Sequence, residues 1–124
     1  MRRAALVSFV AVALTGTAVA VATTRGGSAP QVSYARDVQP IFDRDCVSCH
    51  PSAYPYLDLR PGQSWSQLVG VPAATDLAFE RVLPGRPELS YLITHTPDPS
   101  NAMLLTPGDR DMIARWIRAG APDN

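Results

Sequence analysis

Cys46-Val47-Ser48-Cys49-His50 is the stretch on which the interpretation of this chain depends. Two thiols three positions apart project from the same side of a helical turn, so both can reach one planar group. This C-x-x-C-H spacing is the attachment pattern of a c-type haem, whose two vinyl groups form thioethers with the sulfurs and whose iron is bound by the histidine. The chain has two cysteines and two histidines, and both cysteines and one histidine fall in this pattern.

The same residues allow three other interpretations. A disulfide between Cys46 and Cys49 would close a loop too short to restrain much chain. A thioredoxin-like redox pair would need a βαβ context, which the flanking residues do not supply. A zinc ion needs four ligands, and the adjacent Cys49 and His50 would have difficulty sharing one tetrahedral ion. We prefer the haem interpretation, with these alternatives left open.

Residues 1–22 have the layout of a secretory signal peptide. A short basic start precedes an uncharged apolar run, and small-x-small triplets suitable for cleavage end near Ala22. The uncharged run continues to Thr24, so an uncleaved membrane anchor is the alternative, although the run is short and rich in alanine for a bilayer span. Residues 23–32 contain Gly, Ser and Pro without periodicity and are interpreted as a linker. Residues 33–124 are then expected to form one small domain.

Composition limits the classes of partner. All 11 basic residues are arginines, and they balance 11 acidic residues. Loss of the signal peptide would remove Arg2 and Arg3 and leave a slight excess of negative charge. This balance gives no indication of nucleic-acid binding, and the lack of lysine excludes docking through a ring of lysines. The 12 prolines indicate short helices joined by irregular loops.

The first predicted helix leads its apolar face into the C-x-x-C-H motif. Asp37 is a good N-cap, and Pro40 falls in the first turn, where a missing N–H is tolerated. The apolar positions follow the spacing of one helix face: Val38, Ile41, Phe42 and Cys46.

Three further helices are predicted from residues that favour helix starts and stops. Residues 64–67 (Ser-Trp-Ser-Gln) have the pattern of a capping box that opens a helix to Val69. A proline at its first position suits a helix over 87–93, with Leu89, Leu92 and Ile93 facing inward. A Thr-Pro start and a glycine stop predict the last helix over 107–119. Its apolar stripe is expected to cross the first helix, with Phe42 near Trp116.

Three stretches of the chain resemble small bacterial class I-like cytochrome c domains, especially planctomycete-type and periplasmic ones. They are Tyr34–Phe42 with the C-x-x-C-H motif, Val82–Leu92 and Arg115–Ala121. The resemblance implies an all-α, cytochrome c-like fold over residues 33–124. In it, three to five short helices pack around one covalently bound haem c, and the N- and C-terminal helices cross.

The resemblance also implies the site residues. Cys46 and Cys49 would form the haem thioethers, and His50 would bind the iron on the proximal side. Met103 lies in the loop before the last helix, where the family places its distal methionine, and a methionine with a histidine raises the reduction potential. His95 is the rival distal ligand and would give bis-histidine ligation with a lower potential.

Several neighbours of the haem are expected from the same resemblance. Leu57 and Leu59 should contact the porphyrin. Tyr54 and Tyr56 could lie in the core, lie at the surface or donate to a propionate, and packing in the core or at its rim is preferred. A backbone carbonyl at Arg60 or Pro61 could hold the proximal imidazole. Trp65 is interpreted as a packing residue whose indole N–H could reach a propionate.

The implied function is single-electron transfer by an exported protein, in the periplasm or at the outer face of the cytoplasmic membrane. Its partners would be an oxidase, a reductase or a periplasmic dehydrogenase, with membrane contact only if the N-terminal segment stays uncleaved. No independent enzymatic reaction is expected, because both axial positions of the iron would be filled. The alternatives are a haem-based sensor or peroxidase-like domain with a displaceable Met103, and a haem-free interaction or zinc module.

Overall fold

The structure is a computed structural model that describes residues 30–94 and 105–124. Within these ranges the chain is rich in helix and has no strand, which confirms the all-α prediction at this level. A π-helical turn precedes α1, and a 3₁₀ turn precedes α3. The elements are Tyr34–Val38 (π-helical turn), Gln39–Asp45 (α1), Ser64–Leu68 (α2), Pro87–Leu89 (3₁₀ turn), Tyr91–Thr94 (α3) and Pro107–Arg118 (α4).

The predicted signal peptide lies outside the described residues, as does most of the linker. Val32, the last residue of the predicted linker, is only 8% exposed and belongs to the buried core. Each helix within the described ranges falls short of the length and apolarity that a bilayer crossing requires.

The first helical segment begins earlier than predicted. Ser33 is its N-cap: the Ser33 hydroxyl accepts a hydrogen bond from the Arg36 N–H at 3.3 Å. Asp37 lies inside the π-helical turn, where its carboxylate accepts from the Ser33 N–H at 2.8 Å. The Asp37 N-cap prediction is therefore wrong, because a serine four residues upstream satisfies the free N–H groups first. Pro40 does lie in the first turn of α1.

The helix predicted at 64–69 is present as α2, but the capping box is wrong. The Ser64 side chain is fully buried. Its hydroxyl accepts from the Tyr34 hydroxyl at 2.6 Å and donates to Gln39 Oε1 at 2.5 Å. Gln67 Oε1 instead accepts from the backbone N–H of Asp58 at 2.7 Å. Both polar side chains are used to satisfy buried groups from distant segments.

The helix predicted over 87–93 is interrupted. Ser90 has extended backbone (φ −82°, ψ 126°) and separates the 3₁₀ turn from α3. Its hydroxyl donates to the Arg86 carbonyl at 2.9 Å and accepts from the Leu83 N–H at 2.9 Å. Because the chain bends here, Leu89 is 41% exposed rather than inward-facing. Leu92 and Ile93, also predicted to face inward, pack against the core.

Residues 79–83 take part in two isolated bridges and in no strand. Val82 pairs with Val69 in parallel, and Glu80 pairs with Pro72 in antiparallel orientation. These bridges fix the loop after α2 beside the segment that leads to α3.

The last helix, α4, agrees closely with its prediction. Thr106 is the N-cap, its hydroxyl accepting from the Asp109 N–H at 3.1 Å, with Pro107 at the first helical position. The helix ends at Arg118, and Gly120 follows with φ +99°. The buried stripe comprises Ile113, Trp116 and Ile117.

Tyr34 joins the first helical segment to α4. Its ring centroid lies 4.9 Å from that of Trp116 and 6.4 Å from that of Phe42, so it contacts both rings in the buried cluster. Arg44 of α1 also forms an ion pair with Asp109 of α4 at 2.8 Å. The two segments that were expected to cross are therefore packed together.

Asn124 is held by the π-helical turn. Its carbonyl oxygen accepts from the Ala35 N–H at 3.0 Å and from the Ser33 hydroxyl at 2.8 Å. Its side-chain oxygen accepts from the Tyr34 N–H at 2.8 Å.

The indole N–H groups of both tryptophans donate hydrogen bonds to residues 121–122, close to Asn124. Trp116 Nε1 donates to the Pro122 carbonyl, and Trp65 Nε1 donates to the Ala121 carbonyl, each at 2.9 Å. The expectation that the Trp65 N–H could reach a propionate is therefore wrong, since a backbone carbonyl already occupies it.

Candidate functional site

The C-x-x-C-H stretch continues α1 as a series of hydrogen-bonded turns. The Cys46 N–H donates to the Phe42 carbonyl at 2.8 Å, and the His50 N–H donates to the Cys46 carbonyl at 3.0 Å. The Tyr54 N–H then donates to the Cys49 carbonyl at 3.1 Å. This is the helix-like turn that the spacing predicted, and both cysteines are free thiols.

An apolar groove of about 250 Å³ begins at this turn. Cys46 and His50 line it, whereas Cys49 does not. Most of its lining is aliphatic or aromatic, and it includes Leu57 and Leu59, the two residues expected to contact a porphyrin. Other apolar lining residues are Leu68, Ala73 and Leu92.

A second cavity, of about 340 Å³, lies elsewhere in the described structure. Its lining includes the polar side chains of Gln39, Asp43 and Ser64, but neither a cysteine nor a histidine. The groove is therefore the candidate site.

The His50 imidazole is in an unusual environment. Its Nδ1 atom is buried and has no hydrogen-bond partner. Burial is the main cause that lowers the pKa of His50, and the positive charge of Arg81 acts in the same direction. Backbone groups of Tyr54 and Leu57 oppose this shift. A neutral imidazole with an unsatisfied nitrogen is the form that binds metals.

The carbonyls expected to hold this imidazole do not do so. The Arg60 carbonyl accepts from the N–H groups of Gln63 and Ser64, each at 3.1 Å. Pro61 lines the second cavity instead of the groove. That expectation is therefore wrong, because the chain at Arg60 turns to begin α2.

Two tyrosines flank the histidine at the rim of the groove. The Tyr54 ring stacks on the His50 ring at 5.1 Å, and the Tyr56 ring meets it edge-on at 6.4 Å. Tyr54 is 42% exposed and Tyr56 is 48% exposed. Both tyrosines are therefore surface side chains, one of the roles considered for them, rather than core residues, and this side of the groove is open to solvent.

The two thiols differ in accessibility. Cys46 is 2% exposed, and burial raises the pKa of its thiol to about 12. Cys49 is only partly buried, with the Ser48 hydroxyl 3.9 Å from its sulfur. The thiolate is the nucleophilic form, so burial lowers the reactivity of the Cys46 thiol in this fold.

Arg81 is a groove residue that the sequence analysis missed. Its Nη1 donates to the Gln67 carbonyl at 2.8 Å, and its Nη2 donates to the Tyr56 carbonyl at 3.1 Å. Burial lowers the pKa of its guanidinium. No local pattern marks this role, because the two carbonyls that hold Arg81 belong to residues 14 and 25 positions away.

The two competing distal ligands, His95 and Met103, lie outside the described residues. The described chain stops at Thr94 and resumes at Leu105. Leu92, two residues before that gap, lines the groove, so the chain leaves the described part at the edge of the site.

The prediction of a metal-binding centre of cytochrome type is wrong as far as the described residues show. In residues 30–94 and 105–124 no three His, Cys, Asp or Glu side chains come together as a group that could hold a metal ion. Cys46, Cys49 and His50, although close in sequence, do not form such a group. The described side chains therefore do not by themselves make a metal-binding or haem-binding centre.

Comparisons with protein-family models, with curated proteins and with solved structures found no match to this chain.

Proposed function

We propose that this chain is an exported carrier of single electrons that binds one haem c covalently. The observation that carries the proposal is the position of the C-x-x-C-H turn at the wall of an apolar groove, where Cys46 and His50 both face the same space. A porphyrin brings four nitrogen ligands of its own, so it needs no cluster of protein ligands.

The lining of the groove suits such a group. Leu57, Leu59 and Leu68 present an apolar surface to a flat ring, and burial of apolar area is the main source of stabilisation for it. The buried, unpartnered nitrogen of His50 marks an imidazole available for coordination. The exposed rim at Tyr54 and Tyr56 would leave an edge of the ring near solvent, where a partner protein can approach.

The chain's own residues have distinct roles in this proposal. Cys46 and Cys49 anchor the ring, and His50 binds on the proximal side. Met103 is proposed on the distal side, with His95 as its rival. When bound, the haem supplies one-electron oxidation and reduction of its iron. The protein binds and orients the ring and excludes water from part of its surface.

The proposed architecture is the cytochrome c-like arrangement, in which the first and last helices cross beside the haem. The Tyr34–Trp116 contact and the Arg44–Asp109 ion pair support it, because they join α4 to the segment that carries the motif. The proposed location is the periplasm or the outer face of the cytoplasmic membrane. The proposed partners are an oxidase, a reductase or a periplasmic dehydrogenase.

The mass and the visible spectrum of the exported protein test this proposal together. We expect a mature chain that carries the added mass of one haem, with sharp c-type absorption bands. The colour should survive acid–acetone extraction, because thioethers are not broken by it. A colourless mature protein would overturn the proposal. Rapid binding of carbon monoxide to the native ferrous protein would contradict electron carriage and favour a ligand sensor.

We predict that Met103→Ala lowers the reduction potential and abolishes the weak near-red absorption of ferric iron bound to a thioether. The reason is that a thioether favours ferrous iron, so its loss favours the ferric state. Potentiometry and ferric absorption spectra measure both effects, with His95→Ala as the matched variant. If His95→Ala produces these changes and Met103→Ala does not, the distal assignment is wrong.

A further inference from the structure

Arg81, Arg110 and Arg118 form no ion pair with a carboxylate among the described residues, and of these three only Arg81 lines the groove. Five arginines of these ranges form ion pairs with carboxylates: Arg36, Arg44, Arg60, Arg86 and Arg115. Arg81 is instead held by the carbonyls of Gln67 and Tyr56. Its positive charge is therefore fixed in position, and no carboxylate within the described structure balances it.

The guanidinium lies at the groove itself. Arg81 lines it together with Cys46 and His50, and no Asp or Glu among the described residues does so. A guanidinium carries five N–H donors, and the two carbonyls account for two of them. The remaining donors of Arg81 have no acceptor among the described residues and are available to a molecule in the groove.

Placing a cation partly out of water without a counter-ion is unfavourable. An anionic group on the occupant would offset that cost, and a carboxylate suits the planar fork of arginine because it can accept two hydrogen bonds in parallel. An apolar groove with one fixed cation in its lining therefore fits a molecule that combines a flat apolar body with a carboxylate.

We propose that Arg81 is the anion-binding residue of the groove and pairs with a carboxylate of the bound porphyrin, one of its propionates. This inference rests on the proposed function, since it assigns the role of one more residue in the same site. Arg81 is a binding residue here, and the carbonyls of Gln67 and Tyr56 set its position.

The test compares two forms of ferric haem that differ only in their propionates. The full chain with Cys46→Ala and Cys49→Ala is titrated with free-acid haem and with haem dimethyl ester, and absorption in the Soret band gives both dissociation constants. We expect this parent to bind the free acid at least about tenfold more tightly, the scale of a hydrogen bond between charged groups. Adding Arg81→Gln should bring the two dissociation constants close to equality.

Arg86→Gln is the matched control. Arg86 is five residues away, has a 58% exposed side chain, pairs with Glu88 and does not line the groove. Arg86→Gln removes the same charge from the chain but leaves the groove unaltered, so the parent's preference for free-acid haem should persist. Arg81→Lys, which keeps the charge but lacks the planar fork, should retain part of the preference.

The outcomes separate the two proposals. If the parent binds both haem forms equally, or if Arg81→Gln leaves the preference unchanged, the role of Arg81 is wrong while haem binding stands. Equal losses with Arg86→Gln and Arg81→Gln would also overturn it, because net charge alone would then explain the preference. If the parent binds neither form, the role of Arg81 is wrong, and the mass and visible spectrum of the unaltered exported protein decide the proposed function separately.

Discussion

The double variant Cys46→Ala/Cys49→Ala should lose all covalently attached haem. Mass spectrometry of the exported chain should show the polypeptide alone, and acid–acetone should extract any remaining colour. The expectation follows from the thioethers, which need both sulfurs, and from the turn in which the His50 N–H bonds to the Cys46 carbonyl at 3.0 Å. Alanine leaves that backbone turn intact, so the effect isolates the sulfur chemistry.

Ser48→Ala is the control for this variant. Ser48 lies between the two cysteines and is exposed. The contact of its hydroxyl with the Cys49 sulfur is a long one, at 3.9 Å. This variant should keep one covalent haem with unchanged bands. The single variants should each retain at most one thioether. Covalent haem in the double variant, or its loss in Ser48→Ala, would contradict the assignment of the two sulfurs.

Trp116→Ala should cause a large loss of stability. The indole is fully buried, its ring lies 4.9 Å from that of Tyr34, and its N–H donates to the Pro122 carbonyl. Removing a buried tryptophan side chain typically costs about 3–5 kcal/mol. Since the free energy of unfolding of a small domain is about 5–15 kcal/mol, this change removes a large share of it.

Urea unfolding followed by far-ultraviolet circular dichroism measures this effect. The control is Leu77→Ala, because Leu77 is 79% exposed and its loss should change the free energy of unfolding by less than about 0.5 kcal/mol. Trp116→Phe should fall between the two, since it keeps an aromatic ring beside Tyr34 but loses the hydrogen bond. An unfolding midpoint for Trp116→Ala equal to that of Leu77→Ala would show that α4 does not hold the core.

Local patterns predicted the parts of the fold that local interactions determine. Thr106 and Pro107 fix the start of α4, and the observed helix begins where they indicate. The same reasoning failed at Ser64, whose hydroxyl bonds to Tyr34 and Gln39 rather than to its own helix. Those partners are 30 and 25 positions away, and nothing in a four-residue window reveals them.

The site shows the same limit. The contacts of Leu57 and Leu59 with the groove could be predicted because these residues follow the motif directly. The position of Arg81 at the groove could not be predicted, because it depends on the carbonyls of Tyr56 and Gln67, which only the folded chain brings together. The Arg60 carbonyl likewise does not bond to His50, because the chain turns at Arg60 and this carbonyl accepts from the N–H groups of Gln63 and Ser64.

The bonds from Asn124 to the π-helical turn have a consequence for the order of events during synthesis. Tyr34 and Asn124 are 90 positions apart, so the turn gains its partner only after almost the whole domain has been translated. Until the tail emerges from the ribosome, the nascent domain should remain loosely organised. In the proposed export, such a delay would keep the polypeptide open while it passes through a translocation pore.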